Sequence, residues 1–261
     1  MMSEKLTLII PFIFGSAIGS FLNVCIYRIP AGISVVTPPS SCPSCGAEIA
    51  FYDNIPVLGY ILLRGRCRKC GARISARYPL VEAATGAFCA ALFYIFGFSV
   101  EFFAYFAFVS ALMVVTFIDL KLQIIPDVIS IPGIGVGLIA SYFMSSVGLV
   151  NSAAGFLLGA GFLFIIAMGY HFLTGKEGMG GGDIKLLGMI GAFLGWRGAV
   201  VTLIIGAFAG AVVGGVLMLR YGKDGKYAIP FGPFLAAGAI VHLFFGPPIV
   251  SWYIEMIAGG G

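Results

Sequence analysis

Apolar residues in this chain run in long blocks. They do not form the 3.6-residue stripe of a soluble amphipathic helix or the strict alternation of a half-buried strand. Eight blocks follow one another: Leu6–Ile26, Pro79–Phe98, Phe102–Ile118, Val128–Val147, Ala153–Leu173, Ile184–Trp196, Ala199–Arg220 and Phe231–Ile257. A helix of roughly 20 apolar residues crosses a bilayer, and helices satisfy their own backbone polar groups there. The pattern therefore predicts an all-α integral membrane protein with about eight transmembrane helices. The sixth block is short for a full crossing and predicts a broken, tilted or partly re-entrant helix.

Composition agrees with this reading: of 261 residues, 60% are hydrophobic and 10% charged. The mean hydropathy is +1.05. The first block continues into Tyr27-Arg28, which predicts a retained span rather than a cleaved secretory signal. The basic residues orient the spans. Arg28, Arg64, Arg66, Arg68, Lys69, Arg73, Arg77, Lys121, Lys176, Lys185, Arg220, Lys223 and Lys226 fall on one side, and only Lys5 and Arg197 on the other. The basic side is cytoplasmic by the positive-inside rule. With an even number of spans, both termini lie outside. The net charge of +4 is concentrated in loops, which speaks for topology in lipid and against nucleic-acid binding. Many of the 38 glycines sit at small-xxx-small spacing, as at Gly15 and Gly19, Gly155 and Gly159, and Gly206, Gly210 and Gly214. That spacing predicts close helix packing. No long-period internal repeat is apparent.

The one long polar segment separates the first two spans. It carries Cys42-Pro43-Ser44-Cys45 and Cys67-Arg68-Lys69-Cys70, with 21 residues between the pairs. Two Cys-x-x-Cys knuckles at this separation predict a four-thiolate zinc site, and in a cytoplasmic loop a disulfide is the weaker rival. Four sulfurs leave no open position for water, so the metal is structural and folds a loop that buries little apolar surface. Cys25 and Cys89 lie in spans as core residues. The resulting division is a first helix at 1–28, a zinc-binding loop domain at 29–78 and a helical core at 79–261.

Acids near membrane spans are costly, so each asks for a function or a partner. Asp183 ends the glycine run Gly178-Met179-Gly180-Gly181-Gly182, and Asp119 ends the third span. Both fall on the cytoplasmic side. Two carboxyls that meet there share protons as a pair, one ionised to activate water and one protonated to polarise a carbonyl. The alternatives are that Asp183 caps the helix beginning at Ile184, where it would be the ionised partner, and that Asp119 pairs with Lys121. Asp127 follows Pro126 and reads as an N-cap or a secondary site residue. Glu82 sits one turn inside the second span, and either binds a substrate amine or pairs with Arg77 or Lys185. Gly180, Gly181 and Gly182 read as clearance for an extended substrate backbone, with Lys185 fixing the depth of Asp183. Histidine- and serine-based hydrolysis lack support: His171 and His242 stand apart, and no Gly-x-Ser-x-Gly elbow or dinucleotide fingerprint occurs. An ion-coupled transporter is the rival from another class, although it would place its acids at mid-span between paired half-repeats.

These residues resemble one family over nearly the whole chain. Gly19-Ser20-Phe21-Leu22-Asn23-Val24 with Tyr27-Arg28, Pro39 to Cys45, Asn54-Ile55-Pro56 and Gly65-Arg66-Cys67-Arg68-Lys69-Cys70 follow in one order. Next come Ile74-Ser75-Ala76-Arg77-Tyr78-Pro79-Leu80-Val81-Glu82, Phe117-Ile118-Asp119 up to Ile125-Pro126-Asp127, and Gly180-Gly181-Gly182-Asp183-Ile184-Lys185-Leu186-Leu187. The chain thus resembles the bacterial type IV prepilin leader peptidases, membrane aspartic proteases of the Gly-x-Gly-Asp class. The resemblance implies that Asp119 and Asp183 are the catalytic pair. It implies cleavage of the basic leader of prepilins or pseudopilins after a glycine, at the cytoplasmic face of the bacterial inner membrane. It further implies N-methylation of the new terminus with S-adenosylmethionine, a function tied to the N-terminal half with its four-cysteine loop. A peptidase-only, preflagellin-type enzyme is the alternative within the class.

Overall fold

The computed structural model describes residues 2–176, 178–221 and 229–258. Glu177, Lys223, Asp224 and Lys226 lie outside the described residues, as do the side chains of Glu4, Lys5 and Glu255. The helices are α1 (Met2–Arg28), α2 (Leu58–Leu62), α3 (Arg77–Phe96), α4 (Val100–Leu122), α5 (Asp127–Phe143), α6 (Leu149–Thr174), α7 (Gly181–Tyr221) and α8 (Gly232–Ala258), with a 3-10 turn at Phe51–Asn54. Among the described residues the only β pairing is two isolated bridges in the cysteine loop. Among the described residues five helices are long and apolar enough to cross a membrane, and Asp127–Phe143 and Gly232–Gly246 are shorter apolar helices.

The sixth and seventh apolar blocks form one element with a break inside it. Gly195 sits at φ 71°, ψ −179°, which only glycine adopts readily. The limb before it, residues 181–194, is roughly 21 Å long at 1.5 Å per residue, short of the roughly 30 Å apolar thickness of a bilayer. Counting the two limbs separately, the apolar helical segments number eight. The break lies at Gly195 rather than after Trp196, and a Cβ there would lie 3.4 Å from Val147 and 3.5 Å from Asn151.

The chain divides into two units, Met1–Val114 and Val115–Gly261. In the first, α1 packs on α3 through glycines. A Cβ on Gly15 would stand 2.8 Å from the Thr85 carbonyl, and one on Gly19 would stand 2.7 Å from the Glu82 Cα. Backbone therefore meets backbone, the small-residue packing that lipid-embedded helices use. Phe102, on α4, packs edge-on against Phe93 of α3 at 5.7 Å.

In the second unit α6 lies against the first limb of α7. A Cβ on Gly159 would fall 2.7 Å from the Leu187 carbonyl, and one on Gly191 would collide with the Gly155 carbonyl. The Ser152 hydroxyl donates to the Ala192 carbonyl at 2.5 Å across the same seam. On the second limb of α7, Gly206 and Gly210 face Leu235 and Phe234 of α8. Large apolar side chains such as Leu158, Phe164, Ile165 and Phe208 remain exposed, as lipid-facing residues do.

Candidate active site

Asp119 lies near the end of α4, 4% exposed. The helix stops three residues later, where Gln123 takes φ 56° and returns its amide to the Asp119 carbonyl at 2.9 Å. The chain reverses through Ile124, Ile125 and Pro126 into α5. The Asp119 side chain does not reach Lys121 in a wet loop; its Oδ2 accepts the backbone N–H of Gly232 at 3.0 Å. Gly232 is the first residue of α8, so the carboxyl meets a helix N-terminus with its unsatisfied amides. Sequence reasoning missed this partner. The signal was Pro230-Phe231-Gly232-Pro233, a proline–glycine cluster at the head of an apolar run.

Asp183 is the third residue of α7, half-buried, and its amide donates to the Gly180 carbonyl at 3.2 Å. It therefore sits inside the first turn and is not the N-cap. The helix-terminus argument that would mark Asp183 as the ionised partner applies equally to Asp119. The structure brings the two carboxyls within electrostatic range of one another.

Ile125 sits between the two segments. A Cβ on Gly182 would be 2.8 Å from the Ile125 Cβ, and one on Gly232 would be 3.3 Å from its Cδ1 and 2.6 Å from Asp119 Oδ2. Gly182 is thus explained by contact with Ile125. Gly180 and Gly181 differ: a Cβ on Gly181 would meet nothing within 4 Å, and one on Gly180 only Asp183 Oδ2 at 4.0 Å.

Lys185, two residues after Asp183, reaches across to α5, where its Nζ donates to both Asp127 oxygens at 2.6 and 2.7 Å. Asp127 is the first helical residue of α5. Pro126 occupies the N-cap position with no side-chain cap, so Asp127 caps nothing and is exposed and salt-bridged instead.

Glu82 belongs to the first unit. Its partner is neither Arg77 nor Lys185: Oε2 accepts the Val57 amide at 2.7 Å, while the Arg77 guanidinium lies over the Tyr78 ring at 5.2 Å.

The cysteine loop forms a second site. The sulfurs of Cys42, Cys45, Cys67 and Cys70 lie within 4.8 Å of one another, Cys42 and Cys70 at 3.9 Å. Sulfurs about 2.3 Å from a tetrahedral zinc stand about 3.8 Å apart, so the cluster fits the metal. All six cysteines are free of disulfides. The amides of Ser44 and Cys45 point at the Cys42 sulfur and lower its pKa to about 6, favouring the thiolate a metal needs.

The knuckles are twins. Cys42-Pro43-Ser44-Cys45-Gly46-Ala47-Glu48-Ile49 and Cys67-Arg68-Lys69-Cys70-Gly71-Ala72-Arg73-Ile74 share the pattern Cys-x-x-Cys-Gly-Ala-x-Ile. In the first, the Cys42 amide donates to Ala47 and Gly46 to Cys42; in the second, Cys67 donates to Ala72 and Gly71 to Cys67. Each is closed by one bridge, Ser41 with Glu48 and Arg66 with Arg73. A local repeat is therefore present where no long-period one is apparent. Between the knuckles, Asp53 takes a two-pronged contact from Arg68, Nε to Oδ2 at 2.8 Å and Nη2 to Oδ1 at 2.6 Å.

Residues 13–96 match the family model described as bacterial peptidase A24 N-terminal domain. Residues 106–215 match the type IV leader peptidase family. The chain is similar to curated relatives that carry the name prepilin leader peptidase/N-methyltransferase, three of them as follows. One from Burkholderia pseudomallei is 38% identical, covering 90% of this chain and 84% of the relative. One from Pseudomonas putida is 36% identical over 94% and 93%, and one from Aeromonas hydrophila 36% over 93% and 92%. No solved structure matches the chain.

Proposed function

Because the chain belongs to the type IV leader peptidase family, we propose that it is a multi-pass inner-membrane aspartic endopeptidase. It cuts the basic leader from prepilins or pseudopilins after a glycine, and it N-methylates the new terminus with S-adenosylmethionine. The observation that carries the peptidase reading is that Asp119 and Asp183 lie within electrostatic range of one another. They are acids from two different helices, one of them held by the Gly232 amide.

Two carboxyls in mutual range divide the work of hydrolysis. One, ionised, takes a proton from water as that water attacks the scissile carbonyl. The other, protonated, donates to the carbonyl oxygen, and the protons belong to the pair. Gly180 and Gly181, with open space beside them, leave room for an extended peptide backbone. The basic loops support a cytoplasmic face for this end of the helices, with both termini outside; a basic leader followed by an apolar helix presents its scissile bond at that cytoplasmic face. Cys42, Cys45, Cys67 and Cys70 hold a structural zinc. The N-terminal unit with this loop is retained, which supports the bifunctional reading over a peptidase-only one. The transporter reading is not favoured, since the acids gather at helix ends.

The test is leader cleavage by the purified protein in lipid, comparing wild type with Asp119→Asn and Asp183→Asn. Both variants are expected to lose at least about a thousandfold in rate, as loss of one member of a catalytic unit does. Cleavage at more than a tenth of the wild-type rate by either would overturn the assignment.

A further inference from the structure

In the first unit, a set of polar side chains faces into the seam between α1 and α3. Glu82 is 8% exposed on α3 and Asn23 is 3% exposed on α1. They are buried because Gly19 lets the α1 backbone lie against the Glu82 Cα. Asn23 Nδ2 donates to the Tyr78 carbonyl at 3.0 Å, one helical turn before Glu82. Its other atom, Oδ1, is buried with no hydrogen-bond partner. The Ser20 hydroxyl lies between the Glu82 carboxylate and Asn54 Oδ1, at 3.5 Å from the latter.

The donors in this cluster are used and acceptors remain. The Glu82 carboxylate accepts from the Val57 amide at Oε2 and from the Ser20 hydroxyl, two neutral donors that leave its charge without a cation. Asn23 Oδ1 is open. No basic side chain pairs with Glu82 among the described residues. A buried acceptor with no donor is expensive, and a buried carboxylate more so, so the cluster is complementary to a ligand that brings N–H groups and positive charge. A divalent cation wants six or more oxygens at short range, more than this set supplies. The α-ammonium of an amino-acid methyl donor carries a carboxylate beside it that Glu82 would repel, and its sulfonium has no N–H to give. A primary ammonium has three, and fits.

The surroundings agree. Val57 holds φ 62°, a conformation a β-branched residue adopts only when its environment enforces it. The Glu82 oxygen on its amide is part of that enforcement, and such strain collects at ligand sites. Asn54 is exposed and Ser20 half-buried, giving a way in. The same loop presents exposed Phe51, Ile55 and Leu58, a surface for an apolar side chain beside the amine.

We propose that Ser20, Asn23 and Glu82, with Asn54 at the mouth, form a binding site for the α-ammonium of a polypeptide whose first residue is apolar. On the reading of the chain as an N-methyltransferase, on which this rests, the ligand is the terminus freed by cleavage.

The experiment uses the full chain in lipid nanodiscs and a synthetic peptide beginning with phenylalanine, fluorescent at its far end, alongside its N-acetylated twin. Fluorescence anisotropy gives both affinities. The wild type is expected to bind the free amine at least about tenfold more tightly, the scale of one charge-assisted hydrogen bond. Glu82→Gln still accepts the Val57 amide but lacks the charge, and should reduce that ratio to near one. Asn23→Ala should lower it severalfold, and carries the comparison if Glu82→Gln does not fold, as judged by zinc content and unfolding temperature. Equal affinities in the wild type, or a ratio that survives Glu82→Gln, would overturn the site. A methyl-transfer assay on the same preparation separates the two readings. Selective amine binding without methylation overturns the transferase reading and leaves the site standing, whereas methylation with equal affinities does the reverse.

Discussion

The amide of Gly232 donates to Asp119 Oδ2 across 3.0 Å, joining residues more than a hundred positions apart in sequence. The bond fixes one carboxyl oxygen against the head of α8 and turns the other free. Gly232→Ala keeps the amide but places a Cβ 2.6 Å from that oxygen and 3.3 Å from Ile125. The carboxyl must rotate. Leader cleavage should fall on the order of a hundredfold, as misplacement of a reacting group by about 1 Å does, with the unfolding temperature nearly unchanged.

Lys185 and Asp127 form the other link between helix ends, with side chains 38% and 56% exposed. A solvent-exposed pair of this kind couples by about 0.2–1 kcal/mol. A double-mutant cycle of Lys185→Ala and Asp127→Ala, read by denaturant unfolding, should give a value in that range. Asp127→Asn should retain more than a tenth of the cleavage rate, in contrast to Asp119→Asn.

The seam between α6 and α7 has no room for a methyl group at Gly191, where a Cβ would strike the Gly155 carbonyl. Backbone cannot step aside as a flexible side chain can. Gly191→Ala should destabilise the second unit by about 1–3 kcal/mol, the usual penalty for overpacking. Thermal unfolding in a fixed detergent would register it. Gly161→Ala, facing open space on α6, is the control and should be neutral.

The Arg68 guanidinium holds the Asp53 carboxyl below its ordinary range through its paired hydrogen bonds. A group whose folded pKa is depressed stabilises the fold above its unfolded value, about 4, and that contribution is lost as pH falls through the folded value. Asp53→Asn should therefore reduce amide protection across Phe51–Asn54 by a constant factor between pH 8 and 5. The difference from wild type should shrink only below about pH 4. A difference that disappears between pH 7 and 6 would contradict the assignment.

Metal removal should act on the loop and spare the helices. With chelator, or with Cys42→Ser, amide protection between residues 41 and 74 is expected to collapse toward the unfolded level, since metal binding and loop folding are one equilibrium. Protection of α6 and the first limb of α7 should remain. Hydrogen exchange followed by mass spectrometry resolves the two regions.

The apolar blocks and the two aspartates were legible because membrane chemistry leaves few readings for either. A block of twenty apolar residues has one stable conformation in lipid, and a carboxyl beside it has to be explained. The four cysteines were legible for a similar reason, as their spacing is the geometry of two turns around one ion. The partners were not legible wherever a backbone group supplied them. Asp119 bonds to an amide of Gly232, and Glu82 to an amide of Val57, and every residue but proline carries such an amide. Sequence patterns name side chains, so Lys121 stood out as a partner for Asp119, and Arg77 and Lys185 for Glu82, though neither acid pairs with them. Gly182 shows the same bias in reverse. It belongs to a glycine run that reads as substrate clearance, yet Ile125, distant in sequence, occupies the space beside it.

The twin knuckles would make capture of a metal a problem of tethering. Each is a half-site closed by its own backbone hydrogen bonds, so once one pair of sulfurs has taken the ion, the other pair arrives at an effective concentration set by the chain between them. That chain runs from Gly46 to Arg66, and the contact from Asp53 to Arg68 shortens its slack by tying the middle of the tether to the second knuckle. Affinity for the metal is then a property of a clasp that touches no metal. A change at Asp53 should be felt as faster zinc loss from four unaltered cysteines.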